Sequence, residues 1–283
     1  MKPLLISASD GYPVHAHLFE PEIGNGKLLL VNSATGVKQQ VYFAFAQWLA
    51  EKGFVVITYD YRGIGLSKPE KMKGFKASMR TWGTQDYAAI TRYIRKHFDD
   101  LVPFCLGHSV GALILGMNKD SAMFKKFVFV GAQDAYLRHL PYKVTFTAAI
   151  GFGIAVPVTN TFLGYFPAHW FGLGESLPKG SANDWRTLVL HKKSTARLLE
   201  KLGDNFAAAL DQETVVLYAE DDPWVKMKGM ESMMNSVYPN LKKSYREIKA
   251  VESPIGKIGH INFFRSYNKP LWEIVANELK TLG

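Results

Sequence analysis

The stretch Phe104-Cys105-Leu106-Gly107-His108-Ser109-Val110-Gly111 constrains this chain more than any other. Its first half is a short continuous apolar run, the pattern of a strand buried on both faces. It runs into Gly-x-Ser-x-Gly, and Ala112-Leu113-Ile114-Leu115-Gly116-Met117 then reads as the opening of a buried helix. Strand, sharp turn and helix place Ser109 at an apex, with its hydroxyl exposed and its backbone strained. Gly107 and Gly111 lack the Cβ atoms that would keep the helix off the strand. The free N–H groups at the helix start face whatever negative charge develops beside Ser109. Gly-x-Ser-x-Gly is a short motif, so the rest of the chain has to supply a base and an acid.

The surrounding pattern is that of an α/β chain. Asp10-Gly11 between Leu4–Ser7 and Val14–Phe19 signals a hairpin. His15 and His17 alternate onto one face of its second strand and read as exposed, since no carboxylate pair nearby completes a metal site. Leu28–Val31, Phe54–Tyr59, Leu101–Leu106, Phe127–Val130 and Thr214–Ala219 are short apolar strands. Helical patterns at Tyr42–Ala50 and Thr84–His97 separate the earlier ones. Such alternation gives a mostly parallel central sheet with helices on both faces. Lys243–Val251 offers one more strand and Pro270–Leu282 a closing helix.

Residues 135–212 break the rhythm. A connection between strand and helix is normally a few residues long. This one is rich in Phe, Tyr and Trp and carries helix-like patches around 142–152 and 186–210. It reads as an inserted, largely helical cap, which divides the chain into a core part at 1–134, the insertion at 135–212 and a second core part at 213–283. Residues 144–174 include no Asp, Glu, Lys or Arg. That run is long enough to span a bilayer, but Gly151, Gly153, Pro157, Asn160, Gly164 and Pro167 interrupt it, and it reads instead as buried or ligand-facing.

Composition narrows the function further. The single cysteine, Cys105, excludes an intrachain disulfide framework and a cysteine-based zinc site. Its place in an apolar strand makes it a structural thiol. The apolar run after Met1 is too short for a signal peptide, so the expected location is cytoplasmic. A net charge of +9, with basic clusters at 68–80 and 226–249, fits a solvated basic surface better than a binding surface. Membrane contact is not expected, and no nucleic-acid-binding motif accompanies the charge. No cofactor is expected: there is no Gly-x-Gly-x-x-Gly, no phosphate loop and no clustered metal ligands.

A serine hydroxyl needs a base within reach, and the base needs an orienting acid. Two loops after later strands supply them: Glu220-Asp221-Asp222-Pro223-Trp224 and Ile258-Gly259-His260-Ile261-Asn262. The order Ser109, Asp222, His260 is the Ser…Asp…His order of one hydrolase fold. With Ala34-Thr35-Gly36-Val37 and Asp60-Tyr61-Arg62-Gly63-Ile64-Gly65-Leu66-Ser67, these stretches make the chain resemble the α/β-hydrolases. It is most similar to serine hydrolases of unassigned substrate.

The resemblance implies the site at the carboxyl ends of the strands, with the insertion as its cap. It implies Ser109 as nucleophile, His260 as base and then acid, and Asp222 as orienting acid. Asp221 is the rival acid and Asp134 a distant third. His108 is expected to be structural, as are Asp60 and Asp86. The oxyanion hole would take the Val110 N–H. Its second donor would come from the loop after Val31, where many relatives have His-Gly and this chain has Asn32-Ser33-Ala34-Thr35-Gly36. Ala34 is the first choice and Thr35 the next. The expected activity is hydrolysis of a carboxylic ester with an apolar group, acting on a small molecule. An acyltransferase or thioesterase on the same triad, or a non-catalytic ligand-binding protein on the same fold, stays open, as does the oligomeric state.

Overall fold

The computed structural model describes residues 1–280. Eight strands form one twisted sheet: β1 Lys2–Ser7, β2 Pro13–Phe19, β3 Lys27–Asn32, β4 Val55–Tyr59, β5 Val102–His108, β6 Lys126–Val130, β7 Glu213–Ala219 and β8 Lys242–Ile248. Their order across the sheet is β1-β2-β4-β3-β5-β6-β7-β8. The β1–β2 hairpin is antiparallel, as Asp10-Gly11 predicts, and β2 joins β4 antiparallel. From β4 to β8 every pairing is parallel. The largely apolar central strands fit this arrangement, because helices cover both faces.

One face packs α1 (Phe43–Glu51) and α8 (Trp272–Lys280) around Phe45, Trp48, Phe264 and Trp272. The Phe45 and Trp272 rings meet edge to face at 5.6 Å, the arrangement their quadrupoles favour. On the other face lie α2 (Ala88–His97), the short α3 (Val110–Leu113) and α7 (Met227–Ser236). A wide π-helical turn, Trp82–Tyr87, precedes α2, so the regular helix starts later than the sequence pattern suggests. Likewise α3 tightens after one turn into a 3₁₀ segment, Ile114–Met117. Pro270 falls in the 3₁₀ stretch before α8 rather than in its first turn. Residues 281–282 of the expected closing helix lie outside the described residues.

Between β6 and β7 the chain leaves the sheet and forms α4 (Tyr142–Phe162), α5 (Lys179–Leu190) and α6 (Ser194–Leu199). A two-residue antiparallel pair joins Tyr165–Phe166 to Leu177–Pro178. The expected helix over 186–210 is displaced: α5 begins at Lys179 and ends at Leu190, and 200–210 is mostly irregular.

The expectation that His15 and His17 are both exposed also needs correction. His17 is buried, its Nδ1 lies 3.0 Å from Gln39 Oε1, and its ring meets the Phe43 ring at 4.7 Å, tilted by 59°. A neighbouring helix closes over that face of the hairpin, which a hairpin read alone does not reveal. Asp60 and Asp86 are structural, as expected. Asp60 accepts the Gln39 and Leu66 N–H groups, and Asp86 pairs with Arg62 Nε at 2.6 Å.

Candidate active site

β5 delivers Ser109 to the carboxyl edge of the sheet. Its φ of 53° and ψ of −117° are a conformation that residues with a Cβ rarely adopt. The glycines around it allow close packing. A Cβ on Gly107 would fall 2.6 Å from the Ala112 backbone, and one on Gly111 would fall 2.3 Å from the Asn32 carbonyl oxygen. Asn32 Nδ2 donates to the Gly111 carbonyl at 3.1 Å, which ties the end of β3 to the turn. Cys105 behind it is fully buried, and burial pushes its thiol well above the ordinary range.

His260 lies in the loop before α8, with Nδ1 2.7 Å from Asp222 Oδ2. Asp222 follows β7 and is buried. Its other oxygen accepts the N–H groups of Trp224 at 2.8 Å and Val225 at 3.3 Å. A carboxylate only accepts, so Nδ1 carries the imidazole proton and Nε2 is left as the basic nitrogen. Asp221 does different work. Its two oxygens accept the Ile258 and Gly259 N–H groups at 2.9 and 2.8 Å, anchoring the loop that holds His260. Asp134 is buried between elements, accepting from Thr195 N–H and Ser232 Oγ. The geometry therefore pairs His260 with Asp222 and leaves the other two carboxylates to packing.

His108 crosses the site from behind. Its Nε2 lies 2.9 Å from the His260 carbonyl oxygen and its Nδ1 2.7 Å from Tyr42 Oη. The carbonyl only accepts, so Nε2 is protonated and Nδ1 accepts from the tyrosine. Burial holds this imidazole well below its ordinary pKa of 6.5, with His260 adding to the effect, so it stays neutral as the network requires.

Tyr42 Oη in turn accepts the Ala34 N–H at 2.9 Å. The expectation for Ala34 is corrected here: its N–H is committed inward. Ala34 and Thr35 both line the cavity that holds Ser109, but only the Thr35 backbone N–H is without a partner among the described residues. Val110 opens α3, so its N–H has no intrahelical partner.

Sequence reasoning missed Tyr42 and Gly131. Gly131 ends β6 with φ of 59°, and a Cβ there would fall 3.1 Å from His260 Cε1. The signal available was a lone glycine closing an apolar strand.

Ser109, Val110, Thr35, Gly131 and His260 line one cavity of about 520 Å³. Leu140, Leu173, Trp185 and Leu188, all from the segment between β6 and β7, form apolar wall. Glu175 is the one carboxylate on the lining. It accepts the Gly65 N–H at 2.7 Å and pairs with Lys38 at 3.7 Å. Among the described residues no hydrogen bond joins Ser109 Oγ to His260 Nε2; catalytic hydrogen bonds of this kind often tighten only around the substrate. No group of three or more His, Cys, Asp or Glu among the described residues is placed to hold a metal.

A family model described as serine aminopeptidase, S33, matches residues 27–149. Solved α/β structures superpose on nearly the whole chain. An esterase from Exiguobacterium antarcticum matches with TM-score 0.64 and 16% identity, over 99% of this chain and 100% of that one. A serine hydrolase without lid from Xanthomonas campestris matches with TM-score 0.53 and 11% identity, over 100% and 96%. The chain has the α/β-hydrolase fold. A bromoperoxidase from Bacillus anthracis also superposes on it, with TM-score 0.61 and 18% identity, over 99% and 100%. The names of these neighbours differ, so the likeness carries the fold and not the reaction. No curated protein matches the chain at the sequence level.

Proposed function

We propose that this chain of α/β-hydrolase fold is a serine esterase that cleaves a carboxylic ester through an acyl-enzyme on Ser109. The observation that carries the reading is the His260–Asp222 contact at 2.7 Å, with His260 and Ser109 lining one largely apolar cavity. In the proposed cycle Ser109 Oγ attacks the ester carbonyl and its proton passes to His260 Nε2. The oxyanion that forms is held by the Val110 and Thr35 N–H groups. His260 then protonates the leaving alcohol as the acyl–oxygen bond breaks. A water deprotonated by His260 attacks the acyl-enzyme, releasing the acid and restoring Ser109. Asp222 stabilises the imidazolium at both stages. Residues 135–212 are proposed as the cap, supported by the side chains they contribute to the cavity wall.

An aminopeptidase reading, which the family description raises, needs a free carboxylate to meet the substrate's ammonium. Glu175 is already held by Lys38 and Gly65, which favours the ester. The test is a panel of p-nitrophenyl esters of rising chain length. We expect turnover with an optimum above acetate, set by the apolar wall. Turnover should fall at least about 10³-fold in Ser109→Ala. A folded protein that turns over no ester in the panel, or a Ser109→Ala variant of undiminished activity, would overturn the reading.

A further inference from the structure

The helix α4 wears two parallel stripes. Ala148, Phe152, Val156 and Asn160 are buried against the domain. Phe152 meets the Trp185 ring at 5.0 Å, and Asn160 Nδ2 donates to Asn183 Oδ1 at 2.9 Å, both on α5. On the opposite side Tyr142, Phe146, Ile150, Ile154, Val158 and Phe162 are all exposed, up to 91% for Tyr142 and 76% for Phe162. In a regular helix a spacing of four drifts by about 40° per step. The wider turn Gly151–Ala155 winds less per residue and takes back part of that drift, which keeps the outer stripe on one side. The stripe runs about 30 Å at 1.5 Å per residue. Trp170 and Phe171, also exposed, precede Gly172 and Leu173, which line the cavity. A continuous exposed apolar stripe of this length marks an interaction surface.

Charge says what it meets. At the N-terminal end of the stripe stand the exposed cations Arg138 and Lys143. At the other end the chain at Lys73 packs on the turn after α4: a Cβ on Gly164 would fall 2.9 Å from Lys73 Cγ. Lys71, Lys73 and Lys76 there are exposed, and like Arg138 and Lys143 they take part in no ion pair among the described residues. Between these ends, 144–174 include no charged side chain. Pairing two copies through this face sets cations against cations in either direction, which disfavours self-association. A surface that is apolar in its interior and anionic at its headgroups satisfies both features.

We propose that the outer stripe of α4, with Trp170 and Phe171, docks in the plane of an anionic lipid bilayer, with the basic ends on its headgroups. The helix lies on the membrane rather than crossing it, because its other stripe is packed on α5. Where the esterase reading of the same cavity also holds, the substrate class is an amphiphilic ester drawn from that surface, since Gly172 and Leu173 continue the docking face into the cavity.

The test is co-sedimentation of the Ser109→Ala protein with vesicles, so binding is read without catalysis. Phosphatidylcholine vesicles containing phosphatidylglycerol are compared with phosphatidylcholine alone. We expect binding to the anionic vesicles, weakened at least about tenfold by Lys71→Gln/Lys73→Gln/Lys76→Gln. Comparable weakening is expected from Phe146→Asp/Phe162→Asp, and loss in about 1 M salt, where screening is short-ranged. On the Ser109 background both variants leave turnover of a soluble p-nitrophenyl ester unchanged. Absence of vesicle binding would overturn the proposal, as would binding indifferent to both variants. Retention resistant to salt and alkaline carbonate would overturn it in favour of a span. Sedimentation as a dimer that Phe146→Asp/Phe162→Asp dissolves would assign the face to a second copy instead.

Discussion

Ser109 stands at a positive φ while carrying a side chain, so its backbone stores strain. Ser109→Ala keeps that strain and Ser109→Gly relieves it. Thermal or urea unfolding should therefore find the glycine variant more stable than the alanine variant by about 1–2 kcal/mol; equal stability would mean the turn is relaxed. His108 gives a second test at the same scale. Its native pKa lies well below the ordinary 6.5, so above that value both folded and unfolded chains carry it neutral. As pH falls below 6.5 the unfolded state takes up a proton that the folded state refuses, and stability declines by up to about 1.4 kcal/mol per pH unit until the folded pKa is reached. His108→Gln should flatten that part of the stability–pH curve. An unchanged acid slope would contradict the buried neutral imidazole. Ser109 and His260 were legible as candidates because each sits in a short local motif, Gly-x-Ser-x-Gly and Gly-His. The loss of Ala34 as a donor was not, because Tyr42, which takes its N–H, reaches it from the 3₁₀ turn Gln39–Tyr42 ahead of α1.

At the level of elements, two adjacent aspartates after β7 separate the roles that the sequence left in competition. Asp222 orients the imidazole, while Asp221 fastens the loop through two backbone N–H groups. Steady-state kinetics on Asp222→Asn should show kcat reduced about 10³–10⁴-fold with KM little changed, the signature of a wrong tautomer. Asp221→Asn keeps an oxygen for one of its two N–H groups and should lose far less activity while unfolding more easily. If Asp221→Asn lost the greater activity, the assignment would be reversed. The strands and early helices were readable because a buried parallel strand is a run of apolar residues and needs no partner to be recognised. The segment between β6 and β7 was readable as an insertion from its length, but its helix limits were not. The apolar residues of α4 occupy both its buried and its exposed stripe, so hydrophobicity gave no face to follow. Only the packing of Phe152 and Asn160 on α5 tells the stripes apart.

Across the whole molecule, the basic excess and the uncharged 144–174 run were visible as separate facts of composition. The fold brings them together, setting Lys73 beside Gly164 and leaving the outer face of α4 uncovered. It also gathers residues from β3, β5, β6, β7 and the loop before α8 around one cavity, which is where a serine hydrolase reading becomes a chemical statement. The most direct measurement of that statement is reaction of the intact protein with a fluorophosphonate, followed by peptide mass mapping, on the native chain and on His260→Ala. The account predicts a single adduct on Ser109 in the native chain and labelling slowed at least about 10³-fold without His260. A folded native protein that stays unlabelled, or an adduct on another residue, would contradict it.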